Sequence, residues 1–87
     1  MNIEALDIGK NTKNKIFHKH SVEIIEIKQT IFYDDPIYFK SGNNKYMCIG
    51  KYNRHITVIL KKIGKRARIV TAYPSSKWQV RLYRRKK

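Results

Sequence analysis

The chain has 87 residues, enough for one small domain (1–87) with a modest core. Twenty Lys and Arg against six acids give a net charge of +14, a field that steers anionic partners and resists self-association. No apolar run approaches membrane-spanning length, the opening MNIEALDIGK holds no signal-type apolar core, and the lone Cys48 excludes an internal disulfide. The expected location is the cytoplasm.

The charge is unevenly placed. All six acids (Glu4, Asp7, Glu23, Glu26, Asp34, Asp35) lie in the first 35 residues, where five lysines leave a net −1. Residues 36–87 carry fifteen Lys or Arg and no acid. Aromatics interleave with these cations, a pattern that suits a nucleic acid better than a membrane surface.

In chain order, Asn2 to Ile8 alternates as a short strand that Gly9 ends. Asn11 or Thr12 is expected to cap a lysine-rich helix, KNKIFHKH, and Ser21 to cap a second one, VEIIEIKQTIF, with Glu23 at its positive end. Phe17, Ile24, Ile27 and Ile31 fall at helical spacing if the two helices are nearly continuous, and would form a core stripe. Asp34-Asp35-Pro36 ends the helical half. Strands follow at Ile37 to Lys40, Lys45 to Tyr52, His55 to Lys62 and Arg66 to Tyr73, joined by the turns SGNN, Asn53-Arg54 and Ile63-Gly64-Lys65. Pro74 halts the last ladder, and Ser75 or Ser76 caps a short basic final helix. The fold class is α+β: a short N-terminal strand and one or two helices packed on a three- to four-stranded antiparallel sheet.

In the last strand, flat alternation puts Arg66, Arg68, Val70 and Ala72 on one face and Ala67, Ile69, Thr71 and Tyr73 on the other. Arg68 and Thr71 are then separated unless a twist reconciles them.

Metal and thiol chemistry find little support. His18 and His20, two apart on a helix, point to nearly opposite sides and cannot share an ion. Cys48 in mid-strand suits a small buried hydrophobe. Metal-free RNA cleavage fits the residue types better. The ribose 2′-hydroxyl attacks the adjacent phosphorus, which calls for a base, cations for the developing phosphorane charge and an acid for the leaving oxygen. His20 could be acid or base, Arg68 the charge stabiliser, and Thr71 and Tyr73 donors to a phosphate oxygen. Each has a plainer role: His20 packing at the helix junction, Tyr73 a half-buried sheet aromatic, Arg68 a solvated charge. Lys51, Arg54, Lys61, Lys62, Lys77, Arg81 and Arg84 are the candidate phosphate contacts.

The path Ile3–Asp7, Lys19-His20-Ser21-Val22, Ile31-Phe32, Asp35-Pro36, Met47–Gly50, Ile56–Leu60 and Arg68–Ala72 resembles the BrnT toxin family. There a strand leads into a K-H-G-apolar helix junction, an F-x-D-P turn and three strands. Here Ser21 replaces the glycine and FYDDP carries one extra residue. The ending Thr71-Ala72-Tyr73-Pro74 is similar to the wider RelE-, EndoU- and barnase-like toxin ribonucleases, whose last-strand Thr and Tyr belong to the site. The resemblance implies a metal-independent endoribonuclease toxin without cofactors, with His20, Arg68, Thr71 and Tyr73 as matched positions. It also implies a cognate antitoxin or immunity protein, which the charge requires to be acidic at its contact surface, with DNA met only through that partner. Two alternatives stand beside it: a non-catalytic RNA-binding module stacking bases on Tyr52, Tyr73, Trp78 and Tyr83, and a ribosomal or chromosomal structural protein.

Overall fold

The computed structural model describes residues 1–87. Its elements run β1 (Ala5–Asp7), α1 (Lys10–His20), α2 (Ile24–Phe32), β2 (Ile37–Gly42), β3 (Lys45–Lys51), β4 (His55–Ile63), β5 (Arg66–Pro74) and α3 (Lys77–Lys86). Strands β2 to β5 form the expected antiparallel meander, and β1 adds itself parallel to β5, giving a five-stranded mixed sheet of order β1-β5-β4-β3-β2. The two tightest turns use left-handed residues, Asn44 at φ 57° and Gly64 at φ 62°, the backbone region that Gly and Asn enter most readily.

The helix boundaries differ from expectation. Helix α1 starts at Lys10 behind Gly9, before Asn11 and Thr12. Ser21 closes α1 instead of opening α2: it adopts φ 55°, and its N–H reaches the Phe17 carbonyl at 2.9 Å. That is the work usually given to glycine at a helix end. Glu23 is the true N-cap of α2, and the Glu26 carboxylate accepts from its N–H at 3.2 Å. The left-handed break turns α2 away from α1, so the expected continuous stripe does not form. Ile27 and Ile31 are buried, but Phe17 is 47% exposed and α1 sends Ile16 into the core in its place.

Helices α1 and α2 cover one face of the sheet. The core there joins Ile16, Val22, Ile27 and Ile31 to Cys48, Ile56, Val58, Leu60, Ala67, Ile69 and Ala72. Burial pushes the Cys48 thiol up to about 12, so it is an inert packing group. Helix α3 packs on the opposite face, where Gln79, 2% exposed, meets Met47, Thr57 and Tyr73. Its far end is tied to the end of α2: the Tyr83 hydroxyl donates to Asp34 Oδ2 at 3.0 Å, and the same oxygen accepts from Lys51 N–H at 2.8 Å.

Candidate active site

Strand β5 does not alternate evenly. Thr71 pairs with Ile59 and Ile69 pairs with Leu60, leaving Val70 as an extra residue between two consecutive partners. This β-bulge shifts the side-chain parity by one. Ala67, Ile69 and Ala72 point to the core, whereas Arg66, Arg68, Thr71 and Tyr73 share the outer face. The flat alternation expected from sequence is therefore overturned, and the bulge puts Arg68 and Thr71 on the same face of β5.

The bulge also lies where the sheet edge opens. Strand β1 pairs only with Arg66, Ala67 and Arg68, so β5 beyond Arg68 has no strand neighbour on that side. Helix α1 runs against this free edge. Thr12, Lys15, Ile16, Lys19 and His20 line a cleft of about 230 Å³ whose other wall is Val70 and Thr71. The His20 ring sits half-buried at its end, 5.8 Å from the Tyr73 ring. His20, Thr71 and Tyr73 thus converge from α1 and β5.

Arg68 stands apart from that trio. It lines a neighbouring, larger cavity with Leu6, Asp7, Ile8, Gly9 and residues of α2, though its side chain shares the outer face with Thr71. Across the sheet Arg68 pairs with Lys61, and Lys61 with Lys45. Three cations in one cross-strand row repel each other unless an anion lies on them. The adjacent Asp7 is already occupied: Arg66 Nε and Nη2 donate to its two oxygens at 2.9 and 2.5 Å. That bidentate contact holds the Asp7 carboxyl below its usual range, and no ion pair engages Arg68.

The proposed phosphate contacts are scattered. Lys61 belongs to the cationic row, and Lys51, Lys77, Arg81 and Arg84 are exposed. Arg54 is engaged elsewhere, donating to Glu26 Oε2 at 2.9 Å, Glu26 Oε1 at 3.0 Å and the Ser21 carbonyl at 2.7 Å. Lys62 Nζ donates to the Gly64 carbonyl. His18 edges onto Phe17, and His55 packs edge-on against Tyr83 at 5.2 Å. Burial, then Lys51 and Arg84, push the His55 imidazole below its ordinary value, with Asp34 opposing.

Two contributors escaped the sequence. Lys45 joins the cationic row only through strand register, which nothing local fixes. Gln79 was within reach, because Ser76-Lys77-Trp78-Gln79 matches the S-x-x-Q capping signature. Its side chain does accept from Ser76 N–H at 2.9 Å, and its amide nitrogen also donates to the Tyr73 hydroxyl at 3.0 Å.

No protein-family model matches the sequence, and no curated protein matches it. Among solved structures, the ribonuclease toxin BrnT of Brucella abortus matches with a TM-score of 0.71 at 18% identity, over 84% of this chain and 97% of that one. At that identity the likeness lies in the backbone path. The chain has the fold of the Brucella BrnT toxin.

Proposed function

We propose that the chain is an endoribonuclease toxin that cleaves RNA without a metal, held in check by a cognate antitoxin or immunity protein. The observation that carries this is the meeting of His20 and Thr71 in a cleft at the free edge of β5, with the Tyr73 ring 5.8 Å from that of His20. The cationic row of Arg68, Lys61 and Lys45 on the adjoining sheet face supports it. So does a fold shared with a protein described as a ribonuclease toxin.

In this mechanism the phosphate group lies across the bulge. His20 takes the proton of the ribose 2′-hydroxyl as that oxygen attacks the adjacent phosphorus. The bond from phosphorus to the 5′-oxygen breaks, leaving a cyclic phosphate and a 5′-hydroxyl that takes its proton from solvent water. Thr71 and Tyr73 donate hydrogen bonds to a non-bridging oxygen, where negative charge grows, and Arg68 with Lys61 supplies the cationic field. The exposed cations of α3 hold the flanking phosphates. A partner that covers residues 36–87 must be acidic, because fifteen cations without one acid would repel any basic surface.

The test uses the purified chain, an RNA substrate and a chelator. Arg68→Ala should slow cleavage about 100-fold, as loss of one preorganised donor does, while RNA affinity changes far less. Tyr73→Phe should lower the rate with melting unchanged, and His20→Gln should flatten one limb of the pH–rate profile. If all three variants fold and cleave like the parent, the site is elsewhere. A non-catalytic RNA-binding role is favoured by one observation, the exposure of Tyr52 (53%) and Trp78 (52%) beside cations. Binding without any cleavage would establish it instead.

A further inference from the structure

The Gln79 side chain is buried and uses every hydrogen-bonding position it has. Its Oε1 accepts from Ser76 N–H at 2.9 Å and contacts Thr57 Oγ1 at 3.0 Å. Its Nε2 faces Met47 Sδ at 3.4 Å and the Tyr73 hydroxyl at 3.0 Å. A backbone N–H can only donate, so the atom against Ser76 N must be the amide oxygen. The atom against Tyr73 is then the NH2 group, which can only donate. Thr57 must spend its one proton on Oε1, and its oxygen accepts from Ser75 Oγ at 2.7 Å. Donation therefore runs one way, from Ser75 to Thr57 to Gln79 to Tyr73.

At the end of this chain the Tyr73 oxygen is an acceptor toward the protein, and its hydroxyl makes no other hydrogen bond within it. Its own proton is free for a group outside the protein, beside a His20 ring whose centroid is 5.8 Å from that of Tyr73. We propose that Gln79 is a positioning residue: its buried amide, locked by Ser76 N–H and Thr57, obliges the Tyr73 hydroxyl to direct its own hydrogen bond to a substrate phosphate oxygen. This rests on the ribonuclease site described above and adds the residue that sets the direction of its tyrosine. A tyrosine free to turn would spend part of its time donating back into the protein, and the developing charge would lose a preorganised donor.

The experiment compares the parent with Gln79→Glu and Gln79→Met in chains carrying 13C at tyrosine Cζ, the Tyr73 signal being identified by its loss in Tyr73→Phe. The glutamate keeps the acceptor for Ser76 and Thr57 but presents a second acceptor where the NH2 group was. Tyr73 should turn its proton inward, and its Cζ resonance should move toward that of a phenol donating to a carboxylate. In Gln79→Met the inward hydrogen bond is lost and the resonance should move toward that of a phenol hydrogen-bonded only to water. RNA cleavage by Gln79→Glu should fall in kcat about 100-fold with little change in KM, and adding Tyr73→Phe should cost nothing more. An unmoved Tyr73 resonance in a folded Gln79→Glu or Gln79→Met protein overturns the proposal. So does additivity of the two substitutions in kcat. If the parent cleaves no RNA, the ribonuclease assignment fails, while the Tyr73 resonance still decides whether Gln79 sets the direction of that hydroxyl.

Discussion

Gly50 offers a stringent test of how α2 is seated on the sheet. It lies in β3 on the face covered by α2, and a methyl added there would come 2.6 Å from Thr30 Cγ2, 3.0 Å from Asp34 Oδ2 and 3.1 Å from Pro36 Cβ. None of these is the loose end of a long side chain. Thr30 is fully buried in α2, and the same Asp34 oxygen holds Lys51 N–H and the Tyr83 hydroxyl. Gly50→Ala must therefore push the end of α2 off β3 or displace the Asp34 tie. Overpacking of this kind costs about 1–3 kcal/mol, which for a domain of this size lowers the melting temperature by about 5–20 °C. Gly42→Ala is the control, since its nearest neighbour would be Lys45 Cβ at 3.4 Å, and it should shift stability by less than about 0.5 kcal/mol. Thermal unfolding followed by far-ultraviolet circular dichroism measures both. Thr30→Ala removes the closest atom, together with a buried hydroxyl that has no hydrogen-bond partner. Combined with Gly50→Ala it should recover part of the loss, giving a favourable coupling of about 0.5–3 kcal/mol. A Gly50→Ala protein that melts with the parent would refute this seating of α2.

His55 should titrate below its ordinary 6.5 by NMR, and Arg84→Gln should raise the midpoint by removing a facing cation. Its folded state binds protons less readily than the unfolded chain, so this stability is complete above 6.5 and declines as pH falls below that value. Glu26 behaves likewise at lower pH: hydrogen bonds from Arg54 lower its carboxyl value, so the contribution is present above 4.5 and lost as pH falls. Arg54→Gln should therefore flatten the acid limb of melting temperature against pH, and an unchanged limb would show that the pair adds nothing. RNA binding should weaken steeply with salt, at a log–log slope of about −3 to −4 if five cations reach phosphates together; a slope near zero would exclude a polyanion surface.

The four-strand meander was legible because each strand is short, β-rich and bounded by turn residues with a stereochemical reason to be there. Gly64 and Asn44 supply left-handed conformations, and Ser76 opens α3 as its spacing to Gln79 implies. The bulge at Val70 was not legible. It exists only in the register between β4 and β5, and Val70 itself is an ordinary strand residue. The helix junction was misassigned because serine caps helices far more often at their start, and its left-handed form in Ser21 follows from how α1 and α2 pack. Of the candidate site, His20, Thr71 and Tyr73 were named from residue type and resemblance. Their convergence depends on the bulge, the shortness of β1 and the approach of α1, all of them tertiary.

The parallel pairing of β1 with β5 has a consequence for when the site can exist. Ala5 meets Arg66 and Leu6 meets Ala67, while the cleft needs His20 from α1 and Gln79 behind Tyr73 from α3. A ribosome that has reached Lys65 has made both leading helices and β1 to β4, yet none of Arg68, Thr71, Tyr73 or Gln79. Domains take shape as they are synthesised, from the N-terminal side first, and here the early part supplies His20, Lys45 and Lys61 without the strand that completes the site. Cleavage competence would arrive only with the last strand and helix. Under the proposed function, a translating ribosome and its message are spared until β5 and α3 have been made, and an inhibitory partner meets a complete site only from that point on.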